Sequence, residues 1–165
     1  MKKIIALALA FVFQISCTKA QENLSETALQ YKLTTTDGKL ITLKEVLKNH
    51  QGKPVVIELW ASWCGDCVKN MPNLKKLQAE NPAVDFVFLS FDKTPEAWKT
   101  GLERHELPGD NFLIGETMKG DFAKSLDVNW IPRYIVLDKK GNVALYKAIE
   151  TDHDKVATLL KELVK

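Results

Sequence analysis

Hydrophobic residues in this chain follow two rhythms, continuous runs and helical spacing, and the alternation between them lays out the elements. Pro54–Ala61 and Val84–Phe91 are continuous β-favouring runs that read as strands buried on both faces. Between them Val68, Met71, Leu74 and Leu77 recur at three-residue spacing, a core-facing helical stripe from Cys64 to Glu80 in which Pro72 is expected to make a kink. Upstream, a polar segment ends near Thr27. Leu29–Leu43 then reads as two short strands joined by an Asp37-Gly38 turn, and Leu43, Val46 and Leu47 mark a short helix with Gly52 past its end. Downstream, Thr94 caps a helix that has Pro95 at its first position, and Pro108–Asn111 is a turn. A strand around Phe112–Ile114 follows, then a helix through Phe122, Ala123 and Leu126. Arg133–Ile149 is a hairpin around Lys140-Gly141, and a closing helix takes Asp152 as its cap. Strands alternating with helices, then a hairpin and a helix, predict an α/β domain with helices covering a mixed sheet.

Composition narrows the function classes. The chain has 165 residues, 45% of them hydrophobic, enough for one domain with a conventional core that needs no disulfide to fold. Its 23 Lys and Arg and 21 Asp and Glu are mixed along the sequence, which argues against a nucleic-acid partner. Residues 1–20 change the picture: Lys2 and Lys3 precede an apolar run from Ile4 to Phe13, then small and polar residues, the pattern of an export signal. The run is short for a bilayer span and is closed by Gln14 and Ser16. Two fates of this leader stay open. Cleavage after Ala20 releases a soluble domain, residues 21–165; cleavage before Cys17 leaves a lipid-bearing N-terminus as the sole attachment to a membrane. Export places the protein in the periplasm or cell envelope.

With Cys17 in the leader, the domain holds two cysteines, Cys64 and Cys67, with Gly65 and Asp66 between them. A disulfide across so short a loop constrains little of the unfolded chain, so a structural staple is disfavoured. A metal site needs two further ligands, and His50, His105 and His153 lack the spacing of a finger or ribbon. Redox work is the favoured reading. Cys64 follows a buried strand and opens a helix, where unpaired N–H groups and the dipole favour a thiolate; it is the expected nucleophile, and Cys67, one turn in, the resolving thiol. Asp66 is welcome in the first helical turn, yet its charge opposes the Cys64 thiolate and points to a reducing couple.

The stretch Glu58–Cys67, with Pro72 five residues after the second cysteine, resembles the active-site strand and helix start of thioredoxins. Ile131-Pro132, ahead of a hairpin, resembles that family's cis-proline. Its distance from Cys67, 65 residues, suits a subfamily with an extra helix and strand before the proline. With the leader and the N-terminal hairpin, the mature chain resembles the exported TlpA/ResA-like thiol-disulfide oxidoreductases. The resemblance implies a thioredoxin fold, no cofactor beyond the Cys64-Cys67 dithiol, protein disulfide or dithiol substrates, a membrane electron donor and a monomer. It implies that Glu58 is a buried carboxylate of raised pKa able to take the Cys67 proton, the alternative being a solvent-facing strand residue. It also implies that Trp63, Ile131 and Pro132 meet the substrate, the Ile131 backbone pairing with an extended segment. Trp60 is either a site aromatic or core.

Departures from the family pattern matter as well. Asn70 stands where reductases of the subfamily often carry an acid, Ala148 replaces a glycine, and Phe88 aligns with thioredoxin's lysine near the buried acid. Two other readings are a thiol peroxidase, which wants a threonine at the position of Ala61, and a redox-inactive binding or assembly lipoprotein, which would not require Cys64, Cys67 and Pro132. His105 and His153 read as exposed helix residues, Arg133 as a charge on the groove rim, and Trp98 and Met118 as helix packing.

Overall fold

The two apolar runs become adjacent parallel strands at the centre of one sheet. The computed structural model describes residues 23–165, so the leader and Cys17 lie outside the described residues. Strand β3 (Val55–Trp60) pairs in parallel with β4 (Asp85–Ser90), Val55 opposite Asp85 through Trp60 opposite Ser90, and all six of its residues are buried. On its other side β3 meets β6 (Arg133–Leu137) antiparallel, and β6 is also buried throughout. Outside these lie β5 (Asp110–Leu113), parallel to β4, and β7 (Val143–Ala148), antiparallel to β6. The hairpin of β1 (Lys32–Thr34) and β2 (Leu40–Thr42) joins the far edge through an antiparallel contact of Thr34 with Leu113. The sheet order is β2-β1-β5-β4-β3-β6-β7, seven strands of mixed direction.

Helices cover this sheet in two groups. Helix α3 (Gly65–Glu80) links β3 to β4 and α4 (Pro95–His105) links β4 to β5; since the strands advance in one direction, right-handed crossovers put both helices on one face. Helix α6 (His153–Leu163) packs beside α3. The short helices α1 (Glu26–Leu29), α2 (Leu43–Lys48) and α5 (Asp121–Ser125) cluster together. Thr42 and Glu45 form a reciprocal cap on α2, and the Thr94 hydroxyl accepts from Ala97 N–H at the start of α4, behind Pro95. Together α4, β5 and α5 make up the insertion between β4 and Pro132. Gly101 lets α4 approach closely: a Cβ there would sit 2.6 Å from Ser62 Cβ and 3.4 Å from the Trp60 ring.

Several local expectations need correction. Leu29 is helical rather than the start of a strand. The Ser25 hydroxyl accepts from Ala28 N–H and Ala28 is buried, so capping and docking outweigh the β-favouring composition nearby. The turn expected at Pro108–Asn111 ends sooner, with β5 beginning at Asp110, because parallel pairing to Val87 extends the strand. Asp152 precedes α6 but makes no side-chain cap; its carboxylate accepts from Ile149 N–H and closes a 3-10 turn instead. Helix α3, by contrast, spans Gly65–Glu80 as its apolar stripe predicts, with Pro72 inside it.

Candidate active site

Residues 61–63 carry the chain from the buried end of β3 to the start of α3. Asp92, fully buried just beyond β4, holds that loop: its carboxylate accepts from Ser62 N–H at 3.1 Å, from the Ser62 hydroxyl at 2.6 Å and from the Ser90 hydroxyl at 2.7 Å. Gly101 closes on Ser62 from the α4 side. Cys64 thereby becomes the N-cap residue of α3, its sulfur accepting from Cys67 N–H at 3.1 Å. Cys64 and Cys67 are joined by a disulfide, Cα atoms 5.2 Å apart. Cys64 is 7% exposed and Cys67 1%, so an incoming group reaches Cys64 first. When the bond is reduced, the first-turn N–H groups face a Cys64 thiolate.

The Ile131-Pro132 peptide is cis, and the Ile131 carbonyl oxygen lies 3.5 Å from Cys64 Sγ. Beside this contact runs an open groove of about 250 Å³, floored by Cys64, Gly65, Asp66 and Ile131 and walled by Trp63, Trp130 and Met118. Trp63 is 57% and Trp130 52% exposed, apolar surface of the kind that marks a contact site.

A buried polar chain runs across β3, β6 and α3. Glu58, in the middle of β3, stands between Phe88 of β4 and Tyr134 of β6. The Tyr134 hydroxyl donates to Glu58 Oε1 at 3.3 Å, while Oε2 has no hydrogen-bond partner among the described residues. Burial pushes the Glu58 carboxyl up to about 8, with the Tyr134 hydrogen bond acting the other way. Burial, reinforced by Glu58, also pushes the Tyr134 phenol up. Asn70, one turn past Cys67, donates to Tyr134 Oη at 2.7 Å, and its Nδ2 lies 2.8 Å from His153 Nε2.

These positions settle several alternatives. Glu58 is buried, not solvent-facing. Trp60 is fully buried with its ring edge-on to His105, and so is core. His105 and His153 are not the exposed helix residues expected: the first packs against Trp60, and the second is half-buried against Tyr134, ring centroids 5.5 Å apart. A polar face at a helix end can still be covered by a neighbouring element, and here the sheet and α3 supply the cover. Arg133 is buried rather than on a rim, donating to Asn129 Oδ1 at 3.0 Å, because it sits at the start of a strand buried along its length. Met118 lies in a turn on the groove wall, not on a helix. Ala148 is opposite Tyr134 in the β6–β7 ladder.

Sequence reasoning passed over Trp130, Asp92 and the bonding of Asn70. Trp130 had a signal, an aromatic residue two before Pro132. Asp92 had one too, an acid directly after the apolar run Val84–Phe91. The Asn70 contacts join residues 64 and 83 positions apart, and nothing local marks them.

Comparison with known proteins bears on this geometry. The Redoxin family model matches residues 19–163. The chain is 26% identical over 155 residues to the thiol-disulfide oxidoreductase ResA of Bacillus thuringiensis subsp. konkukian, covering 92% of this chain and 86% of that protein. It is 27% identical over 139 residues to the soluble secreted antigen MPT53 of Mycobacterium tuberculosis, covering 84% and 76%. The solution structure of a Bacteroides vulgatus protein assigned as a thiol-disulfide oxidoreductase superposes with a TM-score of 0.67 at 30% identity, over 81% of this chain and 86% of that one. A dithiol at a helix N-terminus on a mixed sheet, matched along nearly its whole length, makes this chain a member of the redoxin family and a TlpA/ResA-like thiol-disulfide oxidoreductase.

Proposed function

We propose that this oxidoreductase is an exported reductase of protein disulfides. The single observation that carries the reading is the unequal placement of its two sulfurs, Cys64 reachable at the helix N-terminus and Cys67 buried one turn into α3. In the reduced enzyme the Cys64 thiolate attacks a client disulfide; one client sulfur leaves as a thiolate, and a Cys64–client disulfide forms. Cys67 then gives its proton, through a water, to ionised Glu58 and attacks Cys64 Sγ. The second client thiolate departs and the Cys64–Cys67 disulfide closes, so two electrons have passed from enzyme to client. The redox group is the chain's own dithiol. Glu58 suits its task because a carboxyl pushed up to about 8 is matched to a thiol, so that its ionised fraction takes the Cys67 proton and holds it firmly.

The client lies in the groove between Trp63 and Trp130, its backbone alongside Ile131 and Pro132. Gly65 and Asp66, between the two sulfurs, are read as tuning the couple: the Asp66 charge beside Cys64 disfavours the thiolate and makes the couple more reducing. Returning the enzyme to its dithiol form requires a donor, for which an electron-carrying membrane protein is proposed. Residues 1–20 are read as the export leader of the 21–165 domain, with lipidation at Cys17 as one outcome; the secreted character of MPT53 supports export. No helix among the described residues is long and apolar enough to cross a membrane. The working form is proposed to be a monomer.

The test is reduction of insulin disulfides by wild type, Cys64→Ser and Cys67→Ser under a supplied reductant. Wild type turns over, Cys64→Ser is inactive, and Cys67→Ser accumulates a client adduct that added thiol releases. Equal turnover by wild type and Cys64→Ser rejects the dithiol enzyme.

A further inference from the structure

The hydrogen bonds between Glu58 and His153 have a direction that proton counting determines. Asn70 Nδ2 carries two protons, and the atoms in reach are Tyr134 Oη at 2.7 Å and His153 Nε2 at 2.8 Å. Its Oδ1 accepts from Asn73 at 3.3 Å, which favours the same amide orientation. Both Nδ2 protons are then donated, so His153 Nε2 must be the bare, accepting nitrogen and the ring proton sits on Nδ1. Tyr134 has one proton; with its oxygen already accepting from Asn70, that proton goes to Glu58 Oε1. The chain has one self-consistent polarity, running from His153 as terminal acceptor back to the carboxyl.

We propose that His153 is a positioning residue of the dithiol site: by accepting from Asn70 it holds the amide in the orientation that commits the Tyr134 hydroxyl to Glu58. If Nε2 carried a proton, the amide would turn, Asn70 Oδ1 would accept from both His153 and Tyr134, and Glu58 would lose the one donor it has among the described residues. His153 suits a constant acceptor because burial holds its ring below the usual histidine range, with Asp154 and Glu150 opposing that shift. Lys76 and Glu80 of α3 share the adjoining cleft, and Tyr134 of β6 packs edge-on from the sheet side. Phe88 and Tyr134 are the strand neighbours of Glu58. The same chain explains how an asparagine serves at the position of Asn70, where an acid would repel ionised Glu58.

The proposal rests on the reading of Glu58 as the group that takes the Cys67 proton, and its test needs no turnover. The Glu58 carboxyl carbon is titrated by NMR in the oxidised full chain for wild type, Tyr134→Phe, His153→Leu and the double variant. Tyr134→Phe is expected to raise the midpoint by about one pH unit, a tenfold change, and His153→Leu by about half a unit. In the Tyr134→Phe background His153→Leu should add nothing, because His153 acts only through that hydroxyl. An unchanged midpoint in His153→Leu, or the same increment in both backgrounds, overturns the proposal. Imidazole nitrogen shifts of wild type give a check independent of variant folding: an Nδ1–H ring above neutral pH is expected, and an Nε2–H ring overturns it. The mechanistic reading of Glu58 fails separately, if Glu58→Gln reduces insulin as fast as wild type.

Discussion

Replacing Glu58 by glutamine should remove most of the alkaline loss of stability. The folded protein holds a carboxyl that titrates near 8, against an ordinary value of 4.5. Folded-state affinity for the proton is raised, so between those two values the native state binds a proton that the unfolded chain has released, and stability falls as pH rises. Below about 4.5 both states are protonated, and above about 8 both are ionised, so the loss is confined to that window. At about 1.4 kcal/mol per pH unit the interval is worth about 5 kcal/mol, an upper figure because a buried charge draws in water and neighbouring dipoles. At least about 2 kcal/mol should survive that relaxation. Glutamine keeps the shape and still accepts from Tyr134, but it cannot ionise. Urea unfolding of the oxidised proteins from pH 5 to pH 9, followed by far-ultraviolet circular dichroism, should show similar stabilities at pH 5 and a wild type that weakens increasingly relative to Glu58→Gln toward pH 9. Asp85 and Asp138, whose carboxyls are held below the usual range, are complete in their titration before the window opens and cancel in the difference. Parallel stability profiles for the two proteins across the whole range would refute the assignment of a buried, neutral Glu58.

Three further outcomes follow from the geometry. Asp66→His should make the Cys64-Cys67 couple more oxidising, by about 30 mV or more, since a negative charge at the first helical turn is exchanged for a partly positive one; a thiol-redox titration showing an unchanged or lower potential contradicts this. Trp130→Ala should raise KM for a protein client several-fold with little change in kcat, because one of the two exposed tryptophans on the groove wall is removed without touching either sulfur; steady-state insulin reduction reads both constants, and a fall in kcat at unchanged KM goes against the groove. Gly101→Ala should destabilise by about 1–3 kcal/mol despite alanine's better helix propensity, since the new Cβ meets Ser62 Cβ at 2.6 Å; thermal unfolding at or above the wild-type midpoint counts against tight packing of α4 on the active-site loop.

Periodicity and local chemistry carried far in this chain. The apolar runs at Pro54–Ala61 and Val84–Phe91 read as central strands, the stripe from Val68 to Leu77 as a core-facing helix, and two cysteines between strand and helix placed a dithiol at a helix N-terminus. Burial of Glu58 was legible from the apolar residues on both sides of it. These features are decided within one element by near neighbours, and a linear sequence records near neighbours directly. What the chain could not record was which separate elements meet. His153 looked like a surface residue until α6 was laid against α3, and Arg133 looked like a rim charge until β6 was seen between β3 and β7. Asn70 is the sharpest case: read alone it is a missing acid, yet packing joins it to His153 and to Tyr134, the hydroxyl that donates to Glu58, both far away in the chain. Hydrogen-bond partners are chosen by distance in space, and only the folded sheet and its helices bring Tyr134 Oη and His153 Nε2 each within 3 Å of Asn70 Nδ2.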